Sequence, residues 1–232
     1  MAIKDGLIAE IGTKLAATAP REVDCTGQHL MPGWTDTHTH YDAQVMWDPT
    51  LSPSGANGVT TIVTGNCGVG IAPTRATEAD REYMIGMLAA IEDIPAETLR
   101  EGVAWEVDGK PWESFPEYLD VLSDLSTVAD FACLVPHSCV RPYVLGPEKS
   151  AQCDIPGGPT NSPLTREEKE AIADCVGEAV AAGAIGFSTN RLFAHRDVNG
   201  VLAAGTLADA EELALIGKAV AEVRSTLSTS SS

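Results

Sequence analysis

The stretch Thr35-Asp36-Thr37-His38-Thr39-His40-Tyr41-Asp42 follows a Pro-Gly turn at residues 32–33. Side chains of a β-strand alternate between its faces, so in a strand Asp36, His38 and His40 would all point to one side. Two imidazoles on one face can bind a single metal ion, and neutral imidazole suits zinc. The chain has only five histidines, which makes a chance pair at this spacing the weaker explanation. The stretch therefore predicts a strand that carries a metal site.

Strand patterns and helix patterns alternate after residue 31, which predicts βαβ units and a parallel sheet. The β-branched run at 58–64 and the apolar runs at 130–135 and 184–189 are the further predicted strands. The predicted helices are 77–91, 112–125, 165–183 and 206–227, and a serine-rich tail without packing value follows the last of them. Thr77 with Asp80, and Thr165 with Glu168, provide the N-terminal capping signals of two of these helices.

Polar residues gather after the predicted strands, at the face where a β/α barrel carries its active site. They are His38, His40, Cys67, His137, Asn190 and Arg191. The chain contains about four strand–helix units, whereas a closed barrel needs eight in roughly 250 residues. We therefore predict an α/β fold in which residues 31–232 form the N-terminal portion, about half, of a barrel. For residues 1–30 the sequence predicts only short strands and turns, and these are too few to form a domain alone.

Composition narrows the classes of partner and compartment. The net charge of −18 at pH 7 argues against nucleic acid and anionic membranes as partners, since both need a basic face. No apolar run reaches the length of a transmembrane helix, and the N-terminus lacks the apolar core of a signal peptide. We expect a cytoplasmic protein. Six cysteines without a Cys-x-x-Cys pair predict free thiols or metal ligands rather than disulfides.

Several motifs occur together in one order along the chain. They are HTHYDAQ at 38–44, GVTT at 58–61, GNCGVGIAP at 65–73, WESFPEYL at 112–119, Val135-Pro136-His137 with Arg141, and GAIGFST at 183–189. In this combination the chain resembles the N-acyl-D-amino-acid deacylases (D-aminoacylases) of the amidohydrolase superfamily. The pairing of HTHYDAQ with GNCG is specific, whereas any one of these strings alone would be weaker.

The resemblance implies a metal-dependent (β/α)8 TIM barrel with a small β-sandwich built from both termini. It also implies a zinc site that activates water to hydrolyse N-acyl-D-amino acids to a carboxylate and a D-amino acid. His38 and His40 match the family's first-strand metal ligands, and Cys67 matches its second-strand thiolate ligand. A thiolate is a strong zinc ligand, and the alternative for Cys67 is a small buried apolar residue.

Other polar residues are candidates for contact with the substrate. His137 is either a pocket-lining, substrate-binding residue or a hydrogen-bonded structural histidine. Arg191 and His195 are candidate contacts of the substrate carboxylate, because arginine suits bidentate recognition of carboxylates, and the alternative is a solvated loop. Asp36 is a candidate for orienting one of the two imidazoles of the metal site.

The resemblance further implies two more histidine ligands and a proton-shuttling aspartate, all C-terminal to residue 232. We therefore expect a chain truncated at both ends, with residues 1–30 a remnant of the small β-sandwich and residues 31–232 a truncated barrel. Truncation would impair the activity of the parent enzyme, and exposed barrel edges would favour self-association.

Two alternatives to a deacylase stay open. The first is an inactive zinc-binding fragment or gene remnant. The second, ranked lower, is a cyclic amidohydrolase of the hydantoinase type, whose fourth strand carries a lysine that bridges two metals. The predicted fourth strand, residues 184–189, has no lysine.

Overall fold

The computed structural model describes residues 1–15, 18–154 and 164–230, and the chain divides into two compact units. The first unit, Met1–Pro32, contains an antiparallel hairpin of β1 (Ala2–Lys4) and β2 (Leu7–Glu10). The assignment of this part of the chain to a β-sandwich stays a prediction. The second unit, Gly33–Ser232, holds the parallel sheet.

The sheet of the second unit has four parallel strands in the order β3-β4-β7-β8. These strands are β3 (Trp34–Asp36), β4 (Val59–Thr64), β7 (Asp130–Pro136) and β8 (Gly186–Ser188). The four strands lie in the sheet in the same order as in the chain. Helices lie in the connection from β4 to β7 and in the connection from β7 to β8. Sequential parallel strands with helical crossovers are the architecture of part of a β/α barrel.

Seven α-helices and a short ribbon accompany the sheet within the described residues. The helices are α1 (Glu78–Glu92), α2 (Ala96–Gly102), α3 (Phe115–Ser123), α4 (His137–Leu145), α5 (Pro147–Cys153), α6 (Arg166–Ala181) and α7 (Ala210–Ser230). The ribbon pairs β5 (Glu106–Val107) with β6 (Lys110–Pro111). Buried residues of β4, β7, α6 and α7 belong to one apolar core, which includes Ile62, Val135, Ile172 and Ile216. No helix of the described residues is long and apolar enough to cross a membrane.

The capping predictions are confirmed. Thr77 accepts the amide of Asp80 at the start of α1, and Thr165 and Glu168 form a capping box at the start of α6. The predicted helix at 112–125 is shorter, because Ser114 caps a helix that begins at Phe115. Helices α2, α4 and α5 were not predicted from the sequence. The last helix begins at Ala210 and continues to Ser230, so the prediction of a serine-rich tail outside it was wrong as far as residue 230.

The prediction that His38 and His40 lie within a strand was also wrong. Strand β3 ends at Asp36, and both histidines lie in the loop after it. The physical reason is local, because the Asp36 carboxylate accepts the backbone amide of His38 at 3.2 Å. An aspartate that bonds the amide two residues on offers the backbone a turn in place of the next rung of the sheet.

Candidate metal centre

The loop after β3 presents the two imidazoles side by side. The ring centroids of His38 and His40 are 5.5 Å apart, with the ring planes tilted by 58°. Thr39, between them, turns inward and donates its amide and its hydroxyl to the carbonyl of Val63, at 3.1 and 2.7 Å. This double contact anchors the loop to the end of β4. The contact of Asp36 is with the backbone of His38 rather than with a ring.

The Gly65-Asn66-Cys67-Gly68 turn follows β4 and carries the cysteine. Gly65, Cys67 and Gly68 all have positive φ, of 73°, 55° and 68°. A β-carbon at Gly65 would lie 2.0 Å from the carbonyl oxygen of Leu134, so only glycine fits there. A positive φ at a cysteine is uncommon and must be imposed by its surroundings. The side-chain amide of Asn66 contributes, since it donates to the carbonyl of Val63 at 2.9 Å.

The end of β8 holds the same turn from the other side. The Ser188 hydroxyl donates to the carbonyl of Gly65 and accepts the amide of Gly68 at 3.0 Å. The side-chain amide of Asn190 donates to the carbonyl of Cys67. The sequence indicated Asn190 only as a polar residue after a strand, and Ser188 was missed because it lies inside a predicted strand. One segment that is distant in sequence, the end of β8 with Asn190, thus helps to fix the backbone of the cysteine.

The loops after β3 and β4 bring together the side chains of His38, His40 and Cys67. Nε2 of His38 is 3.1 Å from Sγ of Cys67, and the ligand atoms of all three residues lie within 4.8 Å of one another. Ligand atoms around a tetrahedral zinc ion, with bonds of 2.0–2.3 Å, lie roughly 3.3–3.8 Å apart. Small side-chain rotations therefore suffice to place a zinc-sized ion among two imidazole nitrogens and a thiolate. This donor set is the one that zinc prefers.

Burial acts on the protonation of these groups. It lowers the pKa of His40, and the nearby rings of His38 and His195 lower it further. The neutral imidazole, which is the form that binds metal, is therefore favoured at His40. Burial raises the pKa of the Cys67 thiol, and the Glu92 carboxylate adds to the effect. A metal ion that binds here must therefore displace the thiol proton.

The sequence model of the amidohydrolase family matches residues 21–231. The chain belongs to this family. It is 32% identical to the D-aminoacylase of Alcaligenes xylosoxydans xylosoxydans over 193 residues, which are 83% of this chain and 34% of that protein.

The chain is also similar to solved structures of proteins from this family. One is a D-aminoacylase studied for one-metal activation and second-metal attenuation of its binuclear metal centre, with a TM-score of 0.55 and 27% identity. Another is an N-acyl-D-glutamate deacylase from Bordetella bronchiseptica complexed with zinc and a phosphonate inhibitor, with a TM-score of 0.53 and 25% identity. They align with 83% and 82% of this chain and 32% of theirs. The prediction of a partial β/α barrel is confirmed, and the chain spans about a third of the length of these relatives.

An open cavity of about 410 Å³ adjoins the two imidazoles of this member of the amidohydrolase family. Its walls include His38, His40, Tyr41, Gln44 and Glu92. The cavity offers hydroxyl, amide and carboxylate groups beside the candidate metal position. It is therefore the candidate location for a small polar substrate next to the metal.

His137 is buried at the start of α4, with 1% of its surface exposed. Its Nδ1 contacts the Thr189 hydroxyl at 2.9 Å, and its Nε2 contacts Glu212 at 2.9 Å. Arg141 binds the same carboxylate and also Asp154, at 2.9 Å. Both ring nitrogens of His137 are thus engaged in a buried polar network between α4 and α7. The sequence had not identified Glu212 or Asp154, because neither follows a strand or belongs to a recognised motif.

Arg191 and His195, the other two candidate substrate contacts, differ in what they touch. The Arg191 guanidinium donates to the carbonyls of Thr206 at 3.3 Å and Ala208 at 2.6 Å, so it braces the approach to α7. His195 is half-buried and lies close enough to His40 to affect the pKa of that ring. Its Nδ1 is buried and has no hydrogen-bond partner among the described residues. Of the two, His195 is nearer to the candidate metal centre.

Proposed function

We propose that this chain supplies part of the active site of a zinc-dependent amidohydrolase. The reaction is hydrolysis of the amide of an N-acyl-D-amino acid to a carboxylate and a free D-amino acid. The observation that carries this proposal is the convergence of His38, His40 and Cys67 within 4.8 Å, at the ends of two adjacent parallel strands. The relatives named D-aminoacylase and N-acyl-D-glutamate deacylase support the choice of substrate class.

In this proposal His38 and His40 hold the metal through imidazole nitrogen and Cys67 holds it through thiolate sulfur. Bound zinc polarises a carbonyl and lowers the pKa of a coordinated water to about 7. The chain's own contribution is orientation, because Thr39 anchors the histidine loop and Asn190 anchors the Cys67 backbone. The proton-shuttling aspartate that the resemblance implies stays part of the proposal.

The substrate would enter the cavity beside the imidazoles. Gln44 and Tyr41 line this cavity, and the Tyr41 hydroxyl is 3.0 Å from the hydroxyl of Ser54, so the rim carries hydrogen-bonding groups. Of the three candidate substrate contacts, the position of His195 supports that role best, since its Nδ1 is unpaired among the described residues. His137 and Arg191 already bind other groups of the fold.

Metal content and turnover of the purified chain test this function. We expect about one zinc per chain, lost in His38→Ala and Cys67→Ser. His29→Ala is the matched control, because His29 is exposed and lies in the first unit. Hydrolysis of N-acetyl-D-amino acids is measured on the same samples. A wild-type chain that holds no metal would sink the proposal.

Metal binding without turnover is the second candidate function. The coverage of about a third of each relative favours it, because those proteins are much longer than the part that this chain matches. Zinc bound at His38, His40 and Cys67 with no hydrolysis of any N-acetyl-D-amino acid would support this alternative. Turnover that disappears in His38→Ala would exclude it.

A further inference from the structure

Glu92 brings a carboxylate to the metal centre from an unexpected direction. It is the last residue of α1, and Asp93 ends the helix with a left-handed backbone, at φ 54° and ψ 35°. The helix end thereby places Glu92 in the wall of the cavity that His38 and His40 line. The Glu92 side chain is only 17% exposed. Burial of a carboxylate is costly unless a partner compensates for the lost water.

The nearest partner of Glu92 is the imidazole of His40. Nδ1 of His40 lies 3.3 Å from Oε1 of Glu92. This Nδ1 is fully buried, yet it makes no aligned hydrogen bond to any described residue. The rings of His38 and His195 also act on His40, and neither of them carries a negative charge. A small rotation of either side chain would give both buried atoms a hydrogen bond.

The position of Glu92 relative to the ligand cluster indicates its role. The group whose ligand atoms lie within 4.8 Å of one another contains His38, His40 and Cys67 but does not include Glu92. The Glu92 carboxylate is therefore not within 4.8 Å of all three ligand atoms, although Oε1 lies 3.3 Å from Nδ1 of His40. Metal-bound histidines commonly donate their other ring N–H to a carboxylate, which fixes the tautomer and makes the metal-binding nitrogen more basic.

We propose that Glu92 is a positioning residue of the metal centre, which accepts the Nδ1–H of His40 and leaves Nε2 of that ring to face the metal. The inference rests on the proposed function, since it needs a metal at His38, His40 and Cys67. It assigns a task to the helix after the second strand of the sheet, a segment for which the sequence motifs predict no functional role.

The test measures metal affinity in three variants of the whole chain. Glu92→Ala removes the acceptor, and Glu92→Gln keeps an acceptor oxygen but loses the charge. Glu82→Gln is the matched control on the same helix, where the carboxylate is exposed and pairs with Arg100. With Co²⁺ and Zn²⁺ as probes, we expect Glu92→Ala to weaken binding about 10- to 100-fold. Glu92→Gln should weaken it less, and Glu82→Gln should bind as wild type does.

Two further readouts separate positioning from a general folding defect. The thermal midpoint of metal-free Glu92→Gln should not fall below that of the wild type, because the variant removes a buried ionisable group. In the zinc-loaded wild type, ¹⁵N spectra of His40 should show the proton on Nδ1, and this signature should change in Glu92→Ala.

The outcomes distinguish a failure of the role of Glu92 from a failure of the proposed function. If the wild type and Glu92→Ala bind metal equally well, or if Nδ1 of His40 itself carries the metal, the role of Glu92 is overturned while the metal centre stands. If the wild type binds neither Co²⁺ nor Zn²⁺, both the positioning role and the proposed function are overturned.

Discussion

The side-chain amide of Asn190 donates a hydrogen bond to the backbone carbonyl of Cys67, a residue 123 positions earlier in the chain. Asn190 in turn accepts the amide of Leu192 at 2.9 Å, so its own orientation is fixed. The loop after β8 thus holds the strained turn that presents the candidate thiolate ligand. The geometry of the metal centre therefore depends on a strand that contributes no ligand to it.

Asn190→Ala tests this dependence. Loss of the donor frees the carbonyl of Cys67 and allows the turn to relax from its positive φ. We expect metal affinity to fall about 10-fold, with a decrease of about 1 kcal/mol in the free energy of unfolding. Calorimetric metal titration and urea unfolding give the two numbers. Asn199→Ala, in an exposed turn, is the control that should change neither. Unchanged affinity in Asn190→Ala would show that the turn holds itself.

Gly65→Ala should be strongly destabilising. The residue has a φ of 73°, and an added β-carbon would lie 2.0 Å from the backbone carbonyl oxygen of Leu134, which cannot rotate away as a side chain could. Gly109→Ala is the matched control, because its φ is 74° and nothing lies within 4 Å of the added carbon. We expect a loss of about 1 kcal/mol at Gly109 and of about 3 kcal/mol or more at Gly65. Similar losses in urea unfolding would contradict the close approach of β4 and β7 at this point.

The buried carboxylate of Glu212 should make stability depend on acid pH. Burial raises its pKa, but hydrogen bonds from Arg141 and His137 lower it more, to about 2 from an ordinary value of 4.5. The folded state therefore binds this proton more weakly than the unfolded chain does. The resulting stabilisation is present above pH 4.5 and is lost as the pH falls towards 2, by up to about 3 kcal/mol.

Glu212→Gln measures that contribution. The variant leaves Arg141 with Asp154 as its one remaining buried carboxylate partner among the described residues, so we expect it to be less stable at pH 7 by about 3 kcal/mol. The difference from the wild type should shrink as the pH falls from 4.5 to 2. Glu170→Gln is the control, because its side chain is 47% exposed, its partner Arg166 is also exposed, and surface ion pairs contribute about 1 kcal/mol or less. A difference that is constant with pH would argue against an ionised Glu212.

The sequence predicted those parts of the fold whose signals are local. The β-branched run of β4 and the capping residues Thr77 and Thr165 each report on the backbone within four residues, and all three were interpreted correctly. Helix α4 was missed because Pro136 precedes it and Pro142 lies inside it, which argues against a helix on local grounds. Its buried residues, among them His137 and Arg141, stabilise it through contacts that propensity does not include.

The candidate site was likewise predicted only in part. His38, His40 and Cys67 were proposed as ligands from their motifs, and the structure brings them together. Of the residues that hold the Cys67 turn, Ser188 was missed and Asn190 was identified only as a polar residue after a strand, because both lie more than a hundred positions from the turn. The sequence placed the two histidines in a strand, whereas the Asp36 turn ends that strand early. Short-range hydrogen bonds of aspartate compete with the sheet, and a period-two pattern does not reveal them.

The open edge of the sheet predicts self-association of the chain. Within the described residues β8 is an outer strand, and an apolar groove beside it is lined by Leu134, Ile185, Phe187, Ile216 and Val220. Ile185 is 40% exposed. Unpaired strand edges next to exposed apolar surface favour pairing with another chain. Light scattering after size-exclusion chromatography should detect dimers or larger species whose fraction grows with concentration. Ile185→Lys should reduce that fraction. Val128→Lys is the control, because Val128 is exposed but does not line the groove, and it should leave the fraction unchanged. A monomer at all concentrations would contradict the prediction.

Zinc should protect Cys67 from alkylation more than any other cysteine. All six cysteines are free, and Cys25 is a half-buried control outside the cluster, in the first unit of the chain. A metal-bound thiolate gives up its lone pair to the ion and reacts slowly, whereas Cys25 should react equally fast with and without zinc. Iodoacetamide labelling followed by peptide mass spectrometry separates the two sites. Protection of Cys67 should disappear in His38→Ala, because the neighbouring imidazole, 3.1 Å away, shares the same ion. Equal labelling of Cys67 with and without zinc would remove the thiolate from the proposed ligand set and leave the two histidines alone.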